Sequence, residues 1–151
     1  NAKYENIITI DGDGQNDPSD IIKLVEYYEN KKYCLVGGIR SKRKDNFLKI
    51  ISSRIANYIR SFILKDNCLD TGCSLKVFKK KIFLDFTYFN GIHRFLPALF
   101  KAYGCNTIFI PVNHRYRKFG SSKYDNFGRA IKGIRDLFNV YFIIKKMKSN
   151  V

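Results

Sequence analysis

A chain of 151 residues, 45% hydrophobic and 15% aromatic, is long enough to bury the core of one domain, and its composition excludes a disordered segment. Twenty-eight Lys and Arg against 13 Asp and Glu leave a formal charge of +15, which points to a polyanionic partner: nucleic acid, an anionic membrane face or phosphorylated small molecules. Cys34, Cys68, Cys73 and Cys105 form no CxxC and stand far in sequence from His93 and His114, so they are expected as reduced thiols and not as a zinc site.

Ile7-Ile8-Thr9-Ile10 is a β-branched run that stops at Asp11-Gly12-Asp13-Gly14, the pattern of a buried strand feeding a loop. Asp17-Pro18-Ser19-Asp20 predicts a helix start, with Asp17 as N-cap and Pro18 at the first helical position. Ile21, Leu24, Val25 and Tyr28 give that helix one apolar face. Cys34–Val36 predicts a short strand closed by Gly37-Gly38, followed by a basic loop from Arg40 to Asn46. From Phe47 to Leu64, the residues Leu48, Ile51, Ile55, Ile59 and Phe62 recur at helical spacing, and Lys49, Ser53, Asn57 and Arg60 form a polar stripe on the same helix. Asp70-Thr71-Gly72-Cys73 predicts a turn and Ser74–Phe78 a strand. A helix follows over Phe95–Ala102, a strand over Thr107–Val112 and a basic loop over Arg115–Lys123. The last helix, from about Asn126 to Met147, places Phe127, Ile131, Ile134, Leu137, Phe138 and Tyr141 on one side and Arg129, Lys132 and Arg135 on the other. Alternating strands and helices define an α/β fold.

Three groups of residues carry chemistry. Asp11 and Asp13, placed after a buried strand, can share a hard divalent cation with diphosphate oxygens, and Gln15 adds a neutral oxygen nearby. Gly12 and Gly14 let the backbone approach a ligand. Arg40, the Lys49/Ser53 pair and Arg117/Lys123 are spread cations suited to phosphate. Lys49 and Ser53 stand one helical turn apart, so both can face one phosphate. Asp70 in its glycine-containing turn is compatible with a general base, a ligand orienter or a turn-former.

In chain order these segments resemble the dolichol-phosphate mannosyltransferase branch of family 2 glycosyltransferases. Ile8-Thr9-Ile10-Asp11-Gly12-Asp13-Gly14-Gln15-Asn16-Asp17-Pro18 is similar to its DxD block. Gly37-Gly38-Ile39-Arg40 with Ser53-Arg54-Ile55-Ala56-Asn57 is similar to its acceptor-binding segment. Asp70-Thr71-Gly72-Cys73-Ser74-Leu75-Lys76 resembles its central Asp motif. His93-Arg94-Phe95-Leu96-Pro97-Ala98-Leu99, Pro111-Val112-Asn113-His114-Arg115 and Arg117-x-x-Gly120-x-Ser122-Lys123-Tyr124 complete the series. The resemblance implies a GT-A, Rossmann-like fold, with Asp11, Asp13 and Gln15 around Mg²⁺ or Mn²⁺ and the diphosphate of a nucleotide-sugar donor. It implies that Arg40, Lys49 and Ser53 hold the phosphate of a polyprenyl phosphate acceptor. Arg117 and Lys123 belong to a loop expected to close over the donor phosphates. Asp70, with Asp13, takes the catalytic place, and orienting neighbouring groups suits Asp70 better than removing a proton, because a phosphate monoester is mostly ionised near neutrality.

The family's further βαβ portion before the DxD strand is missing, so an N-terminally truncated fold is expected, one that binds nucleotide-sugar poorly and leaves a sheet edge unpaired. Residues 1–125 are expected as the catalytic portion and 126–151 as an amphipathic basic helix on an anionic membrane surface, at its cytoplasmic face. The Leu137–Lys148 half of that helix is expected to meet lipid. Two other acceptor or function classes compete: a sugar or polysaccharide acceptor, which the Arg40/Lys49/Ser53 cation cluster disfavours, and a catalytically silent remnant. A nucleic-acid partner is not expected, since no aromatic-basic platform or reading helix is present.

Overall fold

The computed structural model describes residues 2–30, 32–41, 47–115 and 126–149. Among them, four strands form one mixed sheet in the order β1-β3-β2-β4: β1 (Asn6–Thr9), β2 (Leu35–Arg40), β3 (Lys76–Lys79) and β4 (Thr107–Val112). β1, β2 and β4 all run one way, and β3 lies antiparallel between β1 and β2. The helices are α1 (Asp20–Asn30), α2 (Phe47–Leu64), α3 (Lys80–Leu84), α4 (Leu96–Ala102) and α5 (Asn126–Ser149), with a short 3₁₀ turn at Ile92–Arg94.

The core lies on both faces of the sheet. On one, Leu24 and Tyr28 of α1 pack against Val36, Leu75, Val77, Ile110 and Val112; on the other, α4 and α5 cover Leu35 and Phe78, with Phe100 and Val140 fully buried. Asp17 caps α1 by accepting from Ser19 N at 3.0 Å, and the assigned helix begins at Asp20. Pro18 stands in that capping turn ahead of the assigned helix.

Three elements differ from the sequence expectation. β1, expected as a buried strand, is an edge strand whose Ile8 is 42% exposed, because only β3 pairs with it among the described residues. β2 does not stop at Gly37-Gly38 but runs on to Arg40. Those glycines are required by packing: a Cβ on Gly37 would stand 2.9 Å from a ring carbon of Phe109, and one on Gly38 would stand 2.8 Å from Val112 and 2.9 Å from Cys73 Sγ. A pair that reads as a strand breaker is here a strand in close contact with its neighbours. The bounds of α2 agree with the expectation, but its faces are inverted. Ordinary amphipathic packing buries the apolar stripe, yet Ile55, Ile59 and Phe62 are exposed whereas Asn57 and Arg60 are buried.

A buried ion pair holds this inverted helix. Arg60 donates through both terminal nitrogens to Asp66, at 2.7 and 2.9 Å, and through one of them to Cys68 O at 2.9 Å. Asp66, fully buried, also accepts from Cys68 N. The chain leaves α2 through Lys65 and Asn67, both at positive φ. In α5, Val140 and Ile144 are buried and Leu137, Ile143 and Met147 pack beside them, while Ile134, Phe138, Tyr141 and Phe142 face outward with Lys145 and Lys146. The helix therefore packs on the domain with one stripe and keeps a second apolar stripe free. Side chains of Phe127, Arg129 and Ile131 lie outside the described residues.

Asp66→Ala strips a buried guanidinium of its partner and should cost about 3–5 kcal/mol of folding free energy. Urea denaturation measures it; a loss below about 1 kcal/mol, the level of a surface pair, would show that the pair does not hold α2.

Candidate active site

Because β3 runs against its neighbours, its first residues meet the carboxyl ends of β1 and β2. The parallel strand β4 ends on the same side. Four loops therefore converge at one end of the sheet: Asp11–Asp17, Arg40-Ser41, Asp70–Ser74 and Asn113–Arg115. This is where open α/β sheets place ligands.

Ser74 ties the first loop to the third. Its hydroxyl accepts from Asp11 N at 3.0 Å and from Asn16 Nδ2 at 2.8 Å, and its carbonyl accepts from Thr9 Oγ1 at 2.6 Å. Asp13 Oδ1 accepts from Gln15 N at 3.1 Å across Gly14, whose φ of +73° suits glycine. A Cβ at Gly12 or Gly14 would meet nothing within 4 Å, so the loop presents an open face. Asp11 is exposed, and Asp13 and Gln15 are half-buried. The fourth loop braces the first: Arg115 N donates to Gln15 O at 2.8 Å, Arg115 pairs with Asp17 at 2.5 Å, and Asn113 N donates to Asp20 at 2.6 Å.

Asp70 and Arg40, 30 residues apart, form a two-pronged ion pair. Arg40 Nε reaches Asp70 Oδ2 at 2.8 Å, a terminal nitrogen reaches Oδ1 at 2.7 Å, and Arg40 N donates to Oδ2 at 3.0 Å. The side chains are 14% and 5% exposed. Gly72 makes room, since a Cβ there would stand 2.7 Å from the guanidinium and push the fork off its carboxylate. Thr71 Oγ1 donates to Asn57 Oδ1 at 2.7 Å, linking this turn to the polar side of α2, and Asn57 Nδ2 points to Ser53 Oγ at 3.4 Å. Lys49 stands one turn before Ser53 on α2. Its side chain, like Arg117 and Lys123, lies outside the described residues.

Sequence reasoning missed two residues here. Ser74 carries no signal beyond its place in a motif. Lys76, in the central strand, is buried at 4% exposure, donates to Cys73 O and has no carboxylate within ion-pair distance among the described residues. Burial pushes its amine below the usual lysine range, against the opposing pull of Cys73, Cys68, Asp70 and Asp11. Buried charge in a strand was the available signal. Burial lifts the thiols of Cys68 to about 11 and of Cys105 to about 12, and raises that of Cys73, which disfavours their thiolate forms.

The donor set suits a hard cation. Two carboxylates and an amide oxygen are oxygen ligands of the kind Mg²⁺ or Mn²⁺ takes, and Mg²⁺ is commonly held by one or two carboxylates plus substrate phosphates. No cluster of three or more His, Cys, Asp and Glu residues forms a separate metal cage among the described residues.

Residues 1–86 match the model of glycosyl transferase family 2, and the chain belongs to that family. The mixed four-stranded sheet with helices on both faces is consistent with its GT-A fold. The chain is 37% identical over 147 residues to a dodecaprenyl-phosphate galacturonate synthase of Rhizobium johnstonii, covering 95% of this chain and 43% of that protein. It is 33% identical over 131 residues to an undecaprenyl-phosphate 4-deoxy-4-formamido-L-arabinose transferase of Pectobacterium carotovorum, covering 87% and 39%. The corresponding enzyme of Edwardsiella ictaluri is 33% identical over 122 residues, covering 81% and 37%. The chain thus spans about two fifths of the length of these curated relatives.

Ser74→Ala removes the acceptor shared by Asp11 N and Asn16. The two hydrogen bonds contribute about 1 kcal/mol each to the fold, so the melting temperature should fall by a few degrees, and with the Asp11 loop no longer held, Mn²⁺-dependent binding of donor nucleotide to the full-length protein should weaken roughly tenfold. A thermal scan reads the first and calorimetry the second; unchanged binding would deny Ser74 a positioning role.

Proposed function

We propose that this protein transfers a sugar from a nucleotide-sugar donor to a polyprenyl phosphate. The observation that carries the reading is the joining of an open two-carboxylate loop to a cation-bearing turn through five residues, Asp70–Ser74, at one end of the sheet. One loop suits a cation-bound diphosphate and the other a phosphate monoester, which are the two charged groups this reaction must hold side by side. The relatives' names, each pairing a polyprenyl phosphate with a sugar, support the same choice. A neutral sugar hydroxyl would need no Arg40/Lys49/Ser53 cation cluster.

Asp11, Asp13 and Gln15 would hold Mg²⁺ or Mn²⁺ with the donor diphosphate, and the cation would supply charge stabilisation for the departing nucleoside diphosphate. Arg40, Lys49 and Ser53 would bind the acceptor phosphate, and Arg117 and Lys123 would supply cations to the donor phosphates. An acceptor phosphate oxygen attacks the anomeric carbon, the bond to the diphosphate oxygen breaks, and the centre inverts. A phosphate monoester has its second pKa at about 6, so its nucleophilic oxygen needs no strong base near neutrality. Asp70, which accepts from Arg40 at three donors, fixes the orientation of that guanidinium beside the candidate acceptor site.

The exposed Phe138, Tyr141, Phe142, Lys145 and Lys146 of α5 support contact with an anionic membrane surface at the cytoplasmic face. Among the described residues no helix is long and apolar enough to cross a membrane.

Asp11→Asn and Asp13→Asn in the full-length protein should each abolish transfer with the fold intact, because neither carboxylate is packed in the core. Radiolabelled sugar transfer and calorimetric titration of Mn²⁺ with donor nucleotide check this. Unchanged metal-dependent binding in both variants would remove the metal assignment.

A further inference from the structure

Lys76 is a buried charge that the reading above leaves without a role. It stands in β3, the antiparallel strand, between Thr9 of β1 and Gly37 of β2, and is 4% exposed. Its amine turns back along the strand to donate to Cys73 O, so it lies at the Asp70–Ser74 turn, at the end of the sheet where the four loops converge. Among the described residues no carboxylate reaches it at ion-pair distance. Burial pushes the amine below the usual lysine range, while Cys73, Cys68, Asp70 and Asp11 pull the other way, Asp70 more strongly than Asp11.

Stability does not account for this group. An ammonium taken out of water without a carboxylate partner disfavours folding, and an unbranched apolar side chain would fill the same space without that penalty. A local rule broken in this way points to function. The turn beside it lacks charge. Arg40 gives its fork to Asp70, so the pair carries no net charge. A phosphate monoester, close to doubly negative near neutrality, gains little from a neutral pair. With Lys76 the sign changes, because Asp70, Arg40 and Lys76 together carry a single positive charge around one turn. The donor diphosphate has a cation of its own at the Asp11 loop, and Lys76 answers more strongly to Asp70. The field of the amine also reaches the surface. Burial, Arg94 and Lys76 hold the His93 imidazole below the usual histidine range, against the pull of Asp11. A charge fixed in the interior is weakly screened and needs no reorientation when a ligand arrives.

We propose that Lys76 is a positioning residue for sugar transfer: its buried ammonium, held on the Cys73 carbonyl, restores to the Asp70–Ser74 turn the positive charge that Asp70 takes from Arg40, and so draws the acceptor phosphate to that turn. The proposal rests on the lipid-phosphate reading above and adds to it a cation that acts on the acceptor without touching it.

Lys76→Met and Lys76→Arg in the full-length protein test this, read as KM and kcat separately for polyprenyl phosphate and for the nucleotide-sugar, with thermal melting alongside. Loss of a unit charge from a weakly screened interior should raise KM for polyprenyl phosphate roughly tenfold in the Met variant and move KM for the nucleotide-sugar less than about threefold. The Met variant should melt at the same temperature or higher, since a buried charge without a carboxylate partner is gone. Lys76→Arg keeps the charge and should regain most of the acceptor affinity. KM values for the Met variant that both stay unchanged, or that rise equally, overturn the proposal. A Met variant that melts lower and loses both substrates alike is the behaviour of a structural brace and overturns it too, as does a stably folded Arg variant no better than Met. Where the Arg variant does not fold, the Met variant's ratio of acceptor to donor effects decides alone. An unaltered full-length protein that makes no transfer to polyprenyl phosphate rejects the acceptor reading and this proposal together. Transfer by the unaltered protein with unchanged kinetics in the Met variant rejects the role of Lys76 alone.

Discussion

The Asp70 carboxylate is the contact on which the candidate site depends. It accepts from the backbone and both sides of the Arg40 guanidinium fork, so it fixes the end of β2 against the turn before β3. A carboxylate 5% exposed is costly without such partners, and Arg40 compensates it with three charge-assisted bonds. The same turn continues into Ser74, which holds the backbone of Asp11. The carboxylate loop and the arginine are thus positioned by one five-residue segment, and neither is free to drift relative to the other.

The antiparallel strand makes this possible. If β3 ran parallel to its neighbours, Asp70–Ser74 would emerge at the opposite end of the sheet from Asp11 and Arg40. Its reversed direction brings a loop that enters a strand beside loops that leave strands. Helix α2 then serves the site with its polar side, which inverts the usual packing and obliges it to carry an apolar side outward. Arg60 and Asp66 make that inversion stable by meeting each other's charge inside the protein.

Much of this was legible in the sequence. Local periodicity marked α2 at Phe47–Leu64 and the strand Thr107–Val112 with the bounds that the structure has, and the Asp11–Gln15 loop follows its strand as expected. Long-range pairing was not legible. Nothing near Arg40 says that its partner is 30 residues away, and nothing near Ser74 says that it caps Asp11. Gly37 and Gly38 read locally as an end to β2 because their function is room for Phe109, Val112 and Cys73, which only tertiary packing supplies. The periodicity of α2 was correct, but period says which residues share a face and not which face is inside.

The central claim is that Arg40 and Asp70 act as one unit toward the acceptor. A double-mutant cycle tests it, with Arg40→Ala, Asp70→Ala and the pair together in the full-length protein, read as kcat/KM separately for polyprenyl phosphate and for the nucleotide-sugar. The account predicts that each single change costs at least tenfold toward the acceptor and that the double change costs little more than either. Two independent, multiplying losses, or losses equal for donor and acceptor, would contradict it.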